Sequence, residues 1–230
     1  MKICGFQKLT LLDYPGKTAA TVFTGGCNFR CPFCHNGDLV LSHSAMDEIT
    51  QDEIFSVLER RKGFLDGVCV TGGEPLMWQD TEDFLKKIKD MGYLVKLDTN
   101  GSYPERLERI IKSGSIDYIA MDIKNSLSSY PKTVGLESFD IESVKKSVEV
   151  INSSALDHEY RTTLVKNLHT EKDMEEIGKW LEGEKKYFLQ AFVMSDNVID
   201  KSMSGFEKEE LEKMLKIVKK YIPTAEIRGM

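Results

Sequence analysis

Three cysteines fall within one short stretch, Cys27-Asn28-Phe29-Arg30-Cys31-Pro32-Phe33-Cys34, at the spacing C-x3-C-x2-C. A loop of this length can wrap three thiolates around one metal centre. Thiolate is a soft ligand that suits iron–sulfur clusters, zinc or copper(I). A cubane cluster has four iron corners, and a full protein shell would be four cysteines. Three leave one iron open, and an open corner is where a substrate or cofactor can bind. Other readings use the same residues. Cys27, Cys31, Cys34 and His35 make a Cys3His set for structural zinc. Cys31-Pro32-Phe33-Cys34-His35 matches the C-x-x-C-H haem-attachment string, which requires export. A disulfide framework is the weakest reading, with five cysteines in 230 residues.

The elements around the loop follow one rule. The β-rich run Thr18–Thr24 ends in Gly25-Gly26 and leads into the cysteines. The apolar run Val68–Thr71 ends in Gly72-Gly73-Glu74-Pro75, where glycine suits close backbone approach to a ligand. A third strand, 93–97, ends in Asp98-Thr99-Asn100-Gly101, and a fourth, 116–121, in Asp122-Ile123-Lys124. A fifth strand lies near 158–165 and contains Arg161; a sixth, 187–193, contains Phe192.

Between the strands, apolar residues recur at helical spacing. The helices start at Gln51 or Asp52, span 81–91, begin at a Ser102-x-x-Glu105 box, run through Ile141–Ile151 and 170–181, and begin again at Ser204-x-x-Glu207. Residues 3–24 read as an opening hairpin turning at Asp13-Tyr14-Pro15-Gly16. About six β–α units in alternation predict an α/β fold with a parallel sheet, too few for a closed eight-stranded barrel. No linker or repeat divides the chain, so residues 1–230 read as a single domain.

The cysteine loop, the G-G-E-P loop, His35-Asn36, Asp98-Thr99-Asn100-Gly101 and Asp122-Ile123-Lys124 together resemble the radical S-adenosylmethionine (SAM) superfamily, and within it the activating enzymes of glycyl-radical enzymes. The resemblance implies a partial, open (β/α)6 TIM-like barrel preceded by a hairpin. It implies a [4Fe–4S] cluster on Cys27, Cys31 and Cys34, with SAM on the open iron. SAM would be cleaved reductively to a 5′-deoxyadenosyl radical, which abstracts hydrogen from the target. Phe33 and the backbone of His35 would lie by SAM, Gly72, Gly73 and Glu74 by its amino group, and Asp98, Thr99, Asp122, Ile123 and Lys124 by its carboxylate. Two carboxylates there would repel SAM's own, so a cation or a lysine must offset them: in the related pyruvate formate-lyase activase the aspartates matching Asp98 and Asp122 help hold a monovalent cation beside that carboxylate, and Lys124 matches the family's lysine near the same group. Arg161 aligns with a family arginine. Phe192 stands where that activase has a histidine near the adenine, which removes a hydrogen bond. Asp13 matches the family D-G-P-G turn while Tyr14 does not. The variant L-D-Y-P-G-K is similar to anaerobic ribonucleoside-triphosphate reductase activating proteins.

The implied partner is therefore a glycyl-radical enzyme, first anaerobic ribonucleotide reductase, then pyruvate formate-lyase or another, with a flavodoxin- or ferredoxin-type electron donor. Asp13 is a candidate for docking the partner loop. An alternative is a radical SAM enzyme acting on a small metabolite. Residues 35–68 contain no cysteine, so the ferredoxin-like insert of other activases is missing. With 31 Lys and Arg against 37 Asp and Glu, the net charge is −6, which gives no basic footprint for nucleic acid. No apolar run reaches the length of a membrane span, and Met1–Lys8 has no signal-peptide core. The expected compartment is a reducing cytoplasm.

Overall fold

In the computed structural model, which describes residues 1–229, eight strands are hydrogen-bonded in sequence order from β1 to β8. They are β1 (Ile3–Thr10), β2 (Ala19–Thr24), β3 (Gly67–Gly72), β4 (Leu94–Thr99), β5 (Tyr118–Asp122), β6 (Asp157–Leu164), β7 (Tyr187–Ala191) and β8 (Glu226–Arg228). The helices are α1 (Gly37–Leu41), α2 (Gln51–Arg60), α3 (Thr81–Asp90), α4 (Pro104–Ser113), α5 (Tyr130–Thr133), α6 (Ile141–Asn152), α7 (Glu171–Trp180) and α8 (Lys208–Val218). The α/β class read from the alternation holds, and the chain divides into two compact units.

The first unit takes Met1–Asn28, Asp38–Ala120 and Glu142–Asp157. Here β1 pairs antiparallel with β2, which is the expected hairpin, and β2, β3 and β4 pair in parallel. Buried strands with near-continuous apolar runs are what a parallel sheet requires. Val68, Cys69 and Val70 of β3 and Val95 and Leu97 of β4 are fully buried. The helices of this unit bury apolar stripes: Ile54 and Leu58 of α2, Phe84, Leu85 and Ile88 of α3, Leu107 and Ile110 of α4. Each such side chain contributes about 1.5–3 kcal/mol on burial. Tyr14 is buried, not displayed. It packs with Ala19 and Tyr118, and a Cβ on Gly67 would press on its ring. Asp13 accepts a hydrogen bond from Thr21 Oγ1 at 2.5 Å, which ties the turn to β2. That turn precedes β2 while the cysteine loop follows it, about 20 Å away at 3.3 Å per residue.

The second unit takes Phe29–Gly37, Met121–Ile141 and the described residues from His158 onward. Its strands β6, β7 and β8 pair in parallel. The three-residue β8 has no alternation long enough to read from sequence. It is held by Arg228, which makes a bidentate pair with Glu159 (2.9 and 3.0 Å) and covers the ring of Phe188.

Two helix starts differ from expectation. Helix α4 begins at Pro104 with Tyr103 as its cap, not at a Ser102 box. Helix α8 begins after Glu207, whose own capping box uses Glu210, while Ser204 Oγ donates to Asn167. In both places the serine hydroxyl bonds to an asparagine side chain, Ser102 to Asn100 and Ser204 to Asn167, and a Ser-x-x-Glu string only offers a cap. Among the described residues no helix is long and apolar enough to cross a membrane.

Candidate active site

In the first unit the chain that leads into Cys27 is tied to the G-G-E-P loop by backbone bonds. Gly73 N donates to Thr24 O (2.9 Å) and Glu74 N to Gly26 O (2.8 Å). A Cβ on Gly72 would strike the backbone of Thr24, and one on Gly73 the carbonyl of Gly26. Gly72 also has φ +122°, outside the range open to L side chains. These two glycines are thus required by the protein's own close approach between the ends of β2 and β3. Close approach to a ligand, which the sequence suggested, is not needed to explain them.

Glu74 is fully buried. Its Oε1 accepts from Leu76 N (3.0 Å) and Thr99 Oγ1 (2.9 Å), and its Oε2 from Asn100 N (2.7 Å). A buried carboxylate is tolerated only when hydrogen-bonded in this way. Thr99 Oγ1 in turn accepts from Gly101 N (3.1 Å). Glu74 and Thr99 therefore lock the G-G-E-P loop to the loop after β4.

Asp98 is paired with Lys96 two residues before it on β4. Side chains at i and i+2 share one face of a strand. Lys96 is 1% exposed, and its ammonium also lies 3.8 Å from Cys69 Sγ. The register Thr21–Cys69–Lys96 across β2, β3 and β4 sets these three abreast. Sequence reading missed Lys96. Its signal was a charged residue in the middle of an apolar strand, Leu94-Val95-Lys96-Leu97.

In the second unit Cys31 and Cys34 close a turn, Cys34 N donating to Cys31 O at 3.0 Å. The turn is anchored on both sides. Arg30 N donates to Val134 O (2.8 Å), and Asp200 N to Pro32 O (2.8 Å). Phe29 is buried edge-on against Tyr130 and Phe139. Burial pushes the Cys34 thiol up, and this is partly offset by the Asn36 N–H and the Lys124 ammonium. Lys124 is itself held above its usual range: burial would lower it, but Asp122 and the sulfurs of Cys31 and Cys34 outweigh that.

Asp122 receives Lys124 Nζ on Oδ2 (3.0 Å) and Arg161 Nε on Oδ1 (2.9 Å). Burial alone would raise its carboxyl, but the two cations hold it well below the usual range. Arg161 thus serves Asp122. The Ile123 side chain is buried, its N–H donates to Arg161 O (2.8 Å), and its carbonyl accepts from Thr162 Oγ1 (2.7 Å). Each strand-end aspartate is thus paired with a cationic side chain inside the protein. Neutralising Asp122 as Asn should leave two cations side by side. We expect a stability loss of about 1–3 kcal/mol, reduced from the fully buried case because the site is partly exposed. Urea unfolding checks this, and an unchanged midpoint would contradict it.

Phe33 is buried, edge-on to His169 at 6.4 Å between ring centres. His35 lies against Phe192 at 5.1 Å and places Nε2 2.7 Å from Val193 O. His169 is buried with Nε2 2.9 Å from Lys124 O, so Nε2 carries the proton and Nδ1 accepts from Val165 N (3.1 Å). Burial holds its pKa below the ordinary value. Near pH 6.5 the unfolded chain therefore binds more protons at this residue, and folding stability rises with pH. We expect wild-type protein to lose up to about 1.4 kcal/mol per pH unit below about 6.5 relative to His169→Gln. Denaturant unfolding at pH 5.5 and 7.5 measures it; equal slopes for the two proteins would contradict it.

None of the cysteines is in a disulfide. Among the described residues no three His, Cys, Asp or Glu side chains converge tightly enough for one metal ion. A cluster that takes one thiolate per corner needs no such convergence. Three soft thiols, with an ammonium beside Cys31 and Cys34, fit a thiolate-bound iron–sulfur cluster. Among the described residues the Cys3His set does not converge as a single structural zinc ion requires.

The family model of the radical SAM superfamily matches residues 21–181. A Methanocaldococcus jannaschii protein with the provisional name glycyl-radical enzyme activating enzyme is 34% identical over 98% of this chain and 95% of its own. The pyruvate formate-lyase-activating enzyme of Clostridium pasteurianum is 33% identical over 54% of this chain and 52% of its own. Among solved structures, Streptococcus suis SuiB bound to precursor peptide SuiA covers 91% of this chain at TM-score 0.70 and 15% identity, a likeness of fold. This chain spans 48% of that structure's length. The matched span holds the three cysteines, the G-G-E-P loop and both aspartates, and on that ground the chain belongs to the radical SAM superfamily, whose enzymes work with a [4Fe–4S] cluster and SAM.

Proposed function

We propose that this enzyme installs a glycyl radical on a partner enzyme, first among candidates anaerobic ribonucleotide reductase. The observation that carries the reading is the match over nearly all of both chains to the archaeal relative with the activating-enzyme name. Cys27, Cys31 and Cys34 would hold the cluster and leave one iron for SAM. When bound, cluster and SAM supply one-electron cleavage of a carbon–sulfur bond, giving methionine and a 5′-deoxyadenosyl radical that takes hydrogen from the partner's glycine Cα.

The chain's own residues do the holding. Glu74 and Thr99 fix the two loops that would flank SAM's amino and carboxylate groups. Lys124, paired with Asp122 and close to two of the thiols, favours their thiolate form. The buried aromatic Phe33 and the His35–Phe192 pair offer faces against which an adenine could pack. A flavodoxin- or ferredoxin-type protein would supply the electron.

The test is anaerobic mixing with SAM, a reductant and each candidate partner in turn, read by electron paramagnetic resonance. A glycyl radical on the ribonucleotide reductase supports the reading. A radical only on pyruvate formate-lyase changes the partner. SAM cleavage with no radical on any glycyl-radical enzyme overturns it.

A further inference from the structure

Asn100 lies in the loop after β4 and is 5% exposed. Its backbone N–H is held by Glu74 Oε2. Its side-chain amide sits in a closed network. Oδ1 accepts from the backbone N–H of Ser102 (2.9 Å) and from Ser102 Oγ (2.5 Å). Nδ2 donates to Asn28 Oδ1 (3.0 Å) and lies 3.7 Å from Cys27 Sγ, within N–H···S range. Asn28 Nδ2 closes the ring by donating to Ser102 Oγ (2.9 Å).

The amide cannot be turned over. A backbone N–H is only a donor, so the side facing Ser102 N must be the oxygen. The NH2 group is thereby directed at Asn28 and at the sulfur of Cys27. This is also why Ser102 does not cap α4: its hydroxyl and its N–H are both committed to Asn100 and Asn28.

We infer that Asn100 is a positioning residue that raises the reduction potential of the cluster through Cys27. A hydrogen bond to a coordinating sulfur draws charge from it and favours the reduced, more negative state. The inference rests on the reading of Cys27 as a cluster ligand. A residue that merely braced the loop would change cluster content or stability and leave the potential unmoved.

The experiment is anaerobic potentiometric titration of the reconstituted full-length protein without SAM, followed by absorbance and electron paramagnetic resonance. Asn100→Leu should keep wild-type iron and sulfide content and titrate at a more negative potential. Ser102→Ala, which loosens the amide but leaves the backbone N–H in place, should shift it less in the same direction. A full cluster at wild-type potential in Asn100→Leu overturns the inference and leaves Cys27 ligation standing. A wild-type cluster in Cys27→Ala overturns the ligand reading instead. Should Asn100→Leu fail to hold a cluster, wild-type protein grown with asparagine carrying 15N at the side-chain amide gives the answer. Pulsed resonance of its reduced cluster should show coupling to an amide 15N, and absence of coupling overturns the inference.

Discussion

Alanine at Cys27, Cys31 or Cys34 is expected to reduce SAM cleavage to background, while Cys4→Ala and Cys69→Ala keep most of it. Each of the three cysteines would occupy one corner, and no other thiol lies in the stretch 27–34 to replace it. Cys4 has a packing role: its sulfur lies 4.0 Å from His43 O, and a Cβ on Gly25 would press against it. Cys69 is buried mid-strand on β3 between the neighbouring Thr21 and Lys96. Its loss removes one small buried group, at about 1 kcal/mol. Product analysis for 5′-deoxyadenosine under strong reductant decides the matter. Full cleavage by any of the three loop variants would contradict the assignment.

The second large effect is expected at Glu74. Glu74→Ala leaves two backbone N–H groups and one hydroxyl facing a buried space without their acceptor. At about 1–3 kcal/mol for each unpaired group, a loss of about 3–5 kcal/mol is expected, since the donors can partly relax. Glu74→Gln is the sharper probe. Leu76 N and Asn100 N are bound by different carboxylate oxygens, and an amide has only one oxygen. One N–H must then face an NH2 group, and about 2 kcal/mol is lost although the volume is unchanged. Both variants should also weaken SAM binding, because the loops after β3 and β4 lose their tie. Denaturant unfolding and SAM titration measure the two effects. A Glu74→Ala protein as stable as wild type would show that the loops are held by something else.

Much of this was legible in the residues. The cysteine spacing, the strand-end loops and the β–α alternation each have a local signature, and so does the hairpin turn. What was not legible depends on neighbours distant in sequence. Gly72 and Gly73 suggested a ligand, yet the backbones of Thr24 and Gly26 account for them. Glu74 reads as a loop acid, and only its contact with Thr99 and Asn100 makes it a buried strut. For the aspartates at the ends of β4 and β5 the resemblance implied a cation or a lysine beside SAM's carboxylate. Lys96 and Arg161 lie one strand step or one strand away, and no string of adjacent letters joins Arg161 to Asp122. Tyr14 read as part of the hairpin turn, and its burial against Ala19 and Tyr118 makes it a core residue as well.

The central claim is that hydrogen moves from a glycine of the partner to the adenosyl carbon. It is tested most directly by anaerobic activation of a partner made with glycine deuterated at Cα, with mass analysis of the 5′-deoxyadenosine. One deuterium per molecule, formed in step with the glycyl radical, is the predicted result. 5′-Deoxyadenosine without deuterium, while the partner becomes radical-bearing or stays silent, would contradict the account.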